Sequence, residues 1–226
     1  PDEGAFLGGR AILTEYGFRA DPYRDRLGFS AGYATGAMRF KGEFIGDFRS
    51  VIDGVRLGIT ARGSGLEVIN FYGIGNETQR PDSLDDDFYK ARQATGLFRL
   101  DCGFDLTDHL VAYVGAEGRY TATDTDDVRT LIVQARPYGI DERFTADALI
   151  GFRFDSRDNE TAPRRGFYAE LEGAYHPKIS TLRESYLTAR ADLRFYMPIF
   201  NTPAWLAFRA EGKTVEGAYP YYDAAF

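Results

Sequence analysis

The stretch ADALIGFRFDSRDNETAPRRGFYAELEGAYH, residues 146–176, decides the fold of this chain. Its two arms alternate apolar and polar side chains, as β-strands do, because successive side chains of a strand point to opposite faces. The segment DSRDNETAPRRG between the arms is rich in residues that favour turns. The stretch therefore predicts a β-hairpin with long arms. The apolar faces of its arms carry Ala146, Ala148, Ile150, Phe152 and Phe154, and Phe167, Ala169, Leu171, Gly173 and Tyr175.

The composition agrees with a β-rich chain and excludes several classes of protein. The 226 residues include 25 Gly, 18 Phe and 15 Tyr, a bias towards β-structure. A formal net charge of −7 argues against nucleic-acid binding, which needs a basic surface to neutralise phosphates. No apolar run approaches the roughly 20 residues of a membrane-spanning helix. The mean hydropathy of −0.35 is compatible with a membrane barrel, in which only alternate residues face lipid.

The same alternation recurs along the chain and predicts about eleven strands in meander order. Many of these strands are about 10–15 residues long, whereas strands of soluble proteins average about 5–6 residues and lipid-spanning strands need about 9–11. We therefore predict an all-β fold, an antiparallel transmembrane β-barrel of up-and-down meander topology. A large soluble antiparallel barrel or sandwich is the alternative.

The predicted connections also separate by length. If the N-terminus is periplasmic, one end of the barrel carries short turns near 38–40, 63–65, 105–109, 156–164 and 198–203. The other end then carries the long connections 75–87 and 122–142, of which Val128 to Ala135 is a candidate strand-like extension. Short periplasmic turns and longer external loops are typical of outer-membrane barrels.

The polar faces of the predicted strands carry charges of both signs. Because an unpaired charge away from water is costly, such residues either pair across strands or line a wet interior. Two interpretations follow, a stiff barrel wall and a hydrated cavity that contacts an inserted loop or a passenger chain. The predicted lumen-facing charges are Arg99, Asp101, Glu117, Arg119, Glu170, Glu172, Arg190, Asp192, Arg194, Arg209 and Glu211.

Histidine and cysteine are too sparse for a catalytic centre. Nucleophilic catalysis needs a Ser or Cys beside a positioned base, whereas His109 lies at a predicted turn, His176 at a strand end and Cys102 on an apolar face. We therefore predict that the chain is not an enzyme, and we expect no cofactor and no metal centre. The acidic runs 85–87 and 124–127 are candidates for Ca²⁺ binding, and solvated loop charge is the simpler interpretation.

The hairpin carries a family resemblance. The sequence RFDSRDNETAPRRGFYAELEG, residues 153–173, resembles the DSRDN…PTRG hairpin of the bacterial surface antigen family, the BamA/TamA-type barrel domain of outer-membrane assembly and translocation proteins. The sequence NFYGIGNET, residues 70–78, is similar to a second element of that family. The resemblance implies these family-motif positions: Arg153, Asp155, Arg157, Asp158, Asn159, Arg165 and Gly166.

The resemblance also implies a domain organisation and a function. Residues 1–226 are expected to form a single outer-membrane β-barrel domain, incomplete at the C-terminus, with about eleven of sixteen strands, because the family's inward-folding sixth external loop would begin near Phe226. The implied function is assistance in the insertion or translocation of proteins at the bacterial outer membrane. The implied partners are outer-membrane lipid, lipopolysaccharide and a protein substrate or other outer-membrane proteins. The alternatives are a passive pore or structural barrel, and the membrane anchor of a separate patatin-like or metallophosphoesterase domain.

Overall fold

The computed structural model describes residues 4–18, 22–75, 85–179, 181–199 and 202–224. Ten β-strands form one antiparallel sheet in sequence order, so the predicted all-β meander is confirmed. Two short helices and one 3₁₀ turn, Tyr221–Asp223, lie outside the sheet. The strands are β1 (Phe6–Glu15), β2 (Asp25–Ala34), β3 (Arg39–Ile52), β4 (Val55–Asn70), β5 (Lys90–Thr107), β6 (Leu110–Thr123), β7 (Arg143–Asp155), β8 (Gly166–His176), β9 (Tyr186–Pro198) and β10 (Trp205–Gly217), and the helices are α1 (Asp86–Tyr89) and α2 (Leu131–Ala135).

The sheet has ten strands rather than about eleven because one predicted turn is not a turn. Residues 63–65 lie inside β4, where the register with β5 shifts between Ser64 and Glu67. The Ser64 hydroxyl accepts the backbone N–H of Leu66 there, at 3.1 Å. Glycine within a strand marks either a turn or a β-bulge. The structure has the bulge, and β4 continues through it.

The connections sort into two ends of the sheet. The connections 16–24, 53–54, 108–109, 156–165 and 199–204 share one end, here called the short-loop end. The opposite end, the long-loop end, carries 35–38, 71–89, 124–142 and 177–185. The predicted separation of long from short connections holds, except that the turn near 38–40 lies with the long ones. Because residues 63–65 are not a turn, the ends alternate differently from the prediction, and β1 begins at the long-loop end instead of the short-loop end that the sequence assigned to a periplasmic N-terminus. The predicted strand-like extension is wrong as well, since it contains α2.

The sheet curves strongly around its polar face. Arg99 on β5 reaches Glu172 on β8 at 2.7 Å. In a flat sheet, strands three places apart are separated by roughly 14 Å. An arginine and a glutamate that both point away from such a sheet would not meet over that distance. The polar face is therefore concave, and the apolar face is convex. Among the described residues, no helix is long and apolar enough to cross a membrane.

The convex face is an apolar band of membrane height. Leu100, Ile150 and Leu171 are 42%, 59% and 56% exposed on it. On β7 it runs from Phe144 to Phe154, which is roughly 34 Å along a strand at about 3.4 Å per residue, and about 26 Å along the membrane normal for a tilt of about 40°. The apolar band of outer-membrane barrels is about 25 Å tall.

A charge on the convex face is expected to be far more costly than the same charge on the concave face. Leu100→Arg places a guanidinium in the middle of the apolar band and should lower the free energy of unfolding by about 2–4 kcal/mol. Leu97→Arg is the matched control, because Leu97 lies on the same strand and lines the polar cavity. Denaturant unfolding of full-length protein in liposomes, followed by gel mobility, measures both. Equal losses for the two variants would contradict the assignment of the faces.

Candidate functional site

The concave face borders a polar cavity of about 850 Å³. The structure brings together nine of the eleven predicted lumen-facing charges in its lining. The other two, Arg194 and Arg209, lie beside it and both donate to Asp192, at 2.6 and 2.9 Å. The nine lining residues are Arg99, Asp101, Glu117, Arg119, Glu170, Glu172, Arg190, Asp192 and Glu211.

Charges on β8, β9 and β10 form rows of like sign across the sheet. Like charges directly opposite each other destabilise a sheet, so these rows require compensation from neighbouring rows. Asp192, in the acidic row, accepts from Arg194 and Arg209 in the basic row towards the short-loop end. Glu211, in the same acidic row, binds Arg190 of the other basic row at 2.7 Å. The acidic row is Glu170, Asp192 and Glu211, and the basic rows are Arg194 with Arg209 and Arg190 with Lys213.

A tyrosine joins the charges of β7 and β8 to β6. Tyr113 is 3% exposed and lies opposite Gly151, where a Cβ atom would collide with the tyrosine ring. The glycine therefore provides the space for the ring. The Tyr113 hydroxyl donates to Glu170 at 3.1 Å and to Glu172 at 2.9 Å. Arg153 binds Glu170 at 2.7 Å, so this family-motif arginine is part of the same network.

A buried histidine lies deeper in the wall. The His176 Nδ1 atom lies 3.2 Å from an Asp147 carboxylate oxygen, and the two side chains are 4% and 1% exposed. These atoms lack hydrogen-bond geometry, so the contact is a close approach of two buried polar side chains. The ring stacks on Tyr186, with ring centroids 4.1 Å apart. The sequence places His176 at a strand end but gives no sign of this pairing.

The family-motif hairpin is held in one conformation by its own polar side chains. The Asp158 carboxylate accepts the backbone N–H groups of Arg164 and Arg165, at 3.0 and 3.2 Å, and these donors lower the pKa of Asp158. Asn159 likewise accepts the N–H groups of Thr161 and Ala162. These contacts define a compact turn, residues 156–165, which we call the strap.

The ends of the strap are fixed to the strands. Arg157 donates to both oxygens of Asp155, at 2.9 and 2.6 Å, and its guanidinium lies 4.7 Å from the centre of the Tyr168 ring. Gly166 has a φ of +115°, and a Cβ atom there would collide with the Ser156 carbonyl oxygen. Only glycine adopts this backbone without strain. Five of the motif residues thus hold the turn together: Asp155, Arg157, Asp158, Asn159 and Gly166.

Residues 218–224, which we call the cap, fold back over the cavity at the long-loop end. The Tyr221 hydroxyl accepts from Gln93 Nε2 at 2.5 Å and lies 2.8 Å from the Thr123 hydroxyl. Its ring packs edge-on against Phe71 and joins a buried cluster with Ile132. The cap therefore connects the strand wall to the two longest connections. The run AYPYYDA has no strand alternation, so the sequence alone does not reveal this packing.

A buried aspartate fastens the cap. Asp223 accepts from Arg119 at 2.8 Å and from the Tyr186 hydroxyl at 2.5 Å, and its side chain is 4% exposed. Burial by itself would raise the pKa of Asp223, but Arg119, Tyr186 and Lys213 together lower it. The carboxylate is therefore ionised at neutral pH.

With this geometry, the chain can be compared with known proteins. The Omp85 superfamily domain matches residues 23–223. The chain belongs to the Omp85 superfamily. Its fold is similar to that of BamA from Haemophilus ducreyi lacking POTRA domains 1–3, with a TM-score of 0.50 and 13% identity, over 94% of this chain and 41% of that one. At this identity the likeness concerns the fold alone, and the chain spans less than half of that BamA chain. No curated protein matches the sequence.

Membership of the Omp85 superfamily confirms the predicted surface-antigen resemblance and places the chain in the bacterial outer membrane. The apolar convex face and the charged concave face of this Omp85 chain agree with the two faces of an outer-membrane strand wall. Within the described residues, no three His, Cys, Asp or Glu side chains converge to hold a metal ion. The roles of the motif and lumen-facing residues remain predictions.

Removing the charge of Asp223 is expected to free the cap of this Omp85 chain. Asp223→Asn removes the charge that Arg119 and Lys213 contact, while Arg119 keeps Glu117 at 2.8 Å, and should weaken cap docking by about 1.5–3 kcal/mol. Because the pKa of Asp223 is lowered, docking should be intact at neutral pH and weaken as the pH falls through that pKa. Hydrogen exchange at residues 218–224 measures docking. Tyr219→Phe, at an exposed position of the same segment, is the control, and unchanged protection in Asp223→Asn would contradict the role of the carboxylate.

Proposed function

We propose that this Omp85 protein assists the insertion or translocation of proteins at the bacterial outer membrane. The observation that carries the proposal is a wall one strand thick, with exposed apolar side chains on its convex side and a charged cavity on its concave side. Outer-membrane strands have one apolar and one polar face. A client strand that pairs beside this wall finds a matching environment on each of its two faces.

The binding step is the addition of a client strand to a sheet edge. Such augmentation gives affinity through backbone hydrogen bonds and specificity through alternate side chains. The inward side chains of β10 supply polar contacts for a neighbour, because Arg209, Glu211 and Lys213 are 51%, 39% and 33% exposed.

A passive pore is supported less well. A pore needs an open path through the barrel, whereas the strap lies at the short-loop end of the cavity and the cap covers the long-loop end. The short-loop end is assigned to the periplasm, because periplasmic turns of outer-membrane barrels are short. The anchor alternative requires a hydrolase elsewhere in the full-length protein, and no contact in this wall favours it.

The test is reconstituted folding of a client. Liposomes containing the full-length protein should accelerate the folding of a urea-denatured eight-stranded outer-membrane protein at least several-fold, measured by its heat-dependent gel shift. Liposomes with an unrelated barrel of similar size are the control. A rate no higher than in the control would reject the insertion proposal. Rapid swelling of the same liposomes in solute would favour the pore instead.

A further inference from the structure

The strap makes an unusually long connection across the concave face. The Glu160 carboxylate accepts from both terminal nitrogens of Arg49, at 2.7 and 2.9 Å. Arg49 lies on β3, whereas the strap joins β7 to β8. Strands four places apart are separated by roughly 19 Å in a flat sheet. The strap therefore reaches over the short-loop mouth to the opposite wall.

The donor of this contact, Arg49, is held in position by its own neighbours. Arg49 donates to Asp47 at 3.1 Å and to the Tyr23 hydroxyl at 2.9 Å, and its guanidinium lies 4.2 Å from the centre of the Tyr23 ring. Tyr23 in turn donates to Asp47 at 2.5 Å. Burial and Asp47 raise the pKa of Tyr23 to about 12, so the hydroxyl keeps its proton. Arg49 is thus fixed in position, and its side chain is only 17% exposed.

A second contact ties the strap to the other flank of the sheet. The Arg164 guanidinium lies 5.4 Å from the centre of the Trp205 ring, on β10. The other hydrogen bonds of the strap are to its own residues and to the adjoining ends of β7 and β8. The strap is therefore internally rigid, and among the residues that the structure describes it is attached across the mouth at two places, Glu160 and Arg164.

We propose that the strap is a gate at the short-loop mouth of the cavity, latched by the Arg49–Glu160 ion pair. A rigid turn hinged on two strands can swing as a unit when its distal contacts break. The two contacts that hold the strap across the mouth are the Arg49–Glu160 ion pair and the cation–π contact of Arg164 with Trp205. Breaking either contact does not disrupt an apolar core. This inference concerns access to the cavity and goes beyond the insertion activity, on which it does not depend.

The position of the gate is measured between two spin labels. The labels are attached at Ser50→Cys on β3 and Thr161→Cys on the strap, in full-length protein with Cys102→Ala and no other cysteine. The parent should give one narrow distance distribution. Glu160→Gln should broaden it towards longer distances, and adding Arg164→Gln should broaden it further. A distribution that stays narrow in both variants would reject the latch.

Access is measured by the labelling of Thr60→Cys with a bulky maleimide, in detergent micelles that leave both mouths in solvent. Thr60 lines the cavity. Glu160→Gln should raise the labelling rate roughly tenfold, as expected for the loss of a charge-assisted hydrogen-bonded pair. Glu43→Gln is the matched control, because Glu43 pairs with Arg62 on the adjacent strand and does not contact the strap.

The labelling rates of the variants distinguish a gate from a generally loosened wall. Faster labelling in Glu160→Gln alone supports the gate. Equal acceleration in Glu43→Gln would indicate general loosening of the wall and overturn the proposal, as would a strap that moves without a change in labelling. Arg49→Lys, which keeps the charge but loses the two-pronged contact, should give an intermediate rate. The labelling rates do not depend on whether the protein accelerates the folding of a client, so the two proposals are tested separately.

Discussion

Backbone hydrogen bonding in lipid is the constraint on which the rest of this structure depends. No water in the bilayer core satisfies a free N–H or C=O group, so each spanning segment must pair with neighbours along its whole length. The meander of β1 to β10 meets this demand between consecutive strands. Because one sheet then separates lipid from the interior, every second side chain must be apolar and the others are free to be charged. The two faces of the hairpin at residues 146–176 are a direct result.

The concave face of this Omp85 chain carries charges in an ordered arrangement. A row of acidic side chains crosses β8, β9 and β10, and the basic rows of β9 and β10 on either side neutralise it, as Arg194 and Arg209 do for Asp192. These ion pairs orient the charges of β10 and leave them partly solvated, since Arg209, Glu211 and Lys213 are 51%, 39% and 33% exposed. The same arrangement therefore stabilises the wall and keeps polar groups available beside its last described strand.

The sequence predicts the features that follow from the alternation of side chains along a strand. Alternation identifies the strands and assigns Arg99, Glu172 and Asp192 to the inner face, since a face follows from odd or even position alone. It fails at residues 63–65, because the same Gly-Ser-Gly letters suit a turn and a bulge. It also cannot find Arg49–Glu160 or Arg119–Asp223, whose partners are 111 and 104 positions apart. Such contacts depend on how far the sheet curves, and no local pattern encodes that curvature.

The fluorescence of one tryptophan depends on the position of the strap. Trp205 is the only tryptophan of this chain, and it lies beneath Arg164 at the rim of the short-loop end. An indole with a guanidinium over its ring has a different emission from an indole exposed to water or lipid. The intrinsic fluorescence of Trp205 therefore indicates whether Arg164 of the strap lies over its ring. Its signal arises from the native side chains and needs no added label.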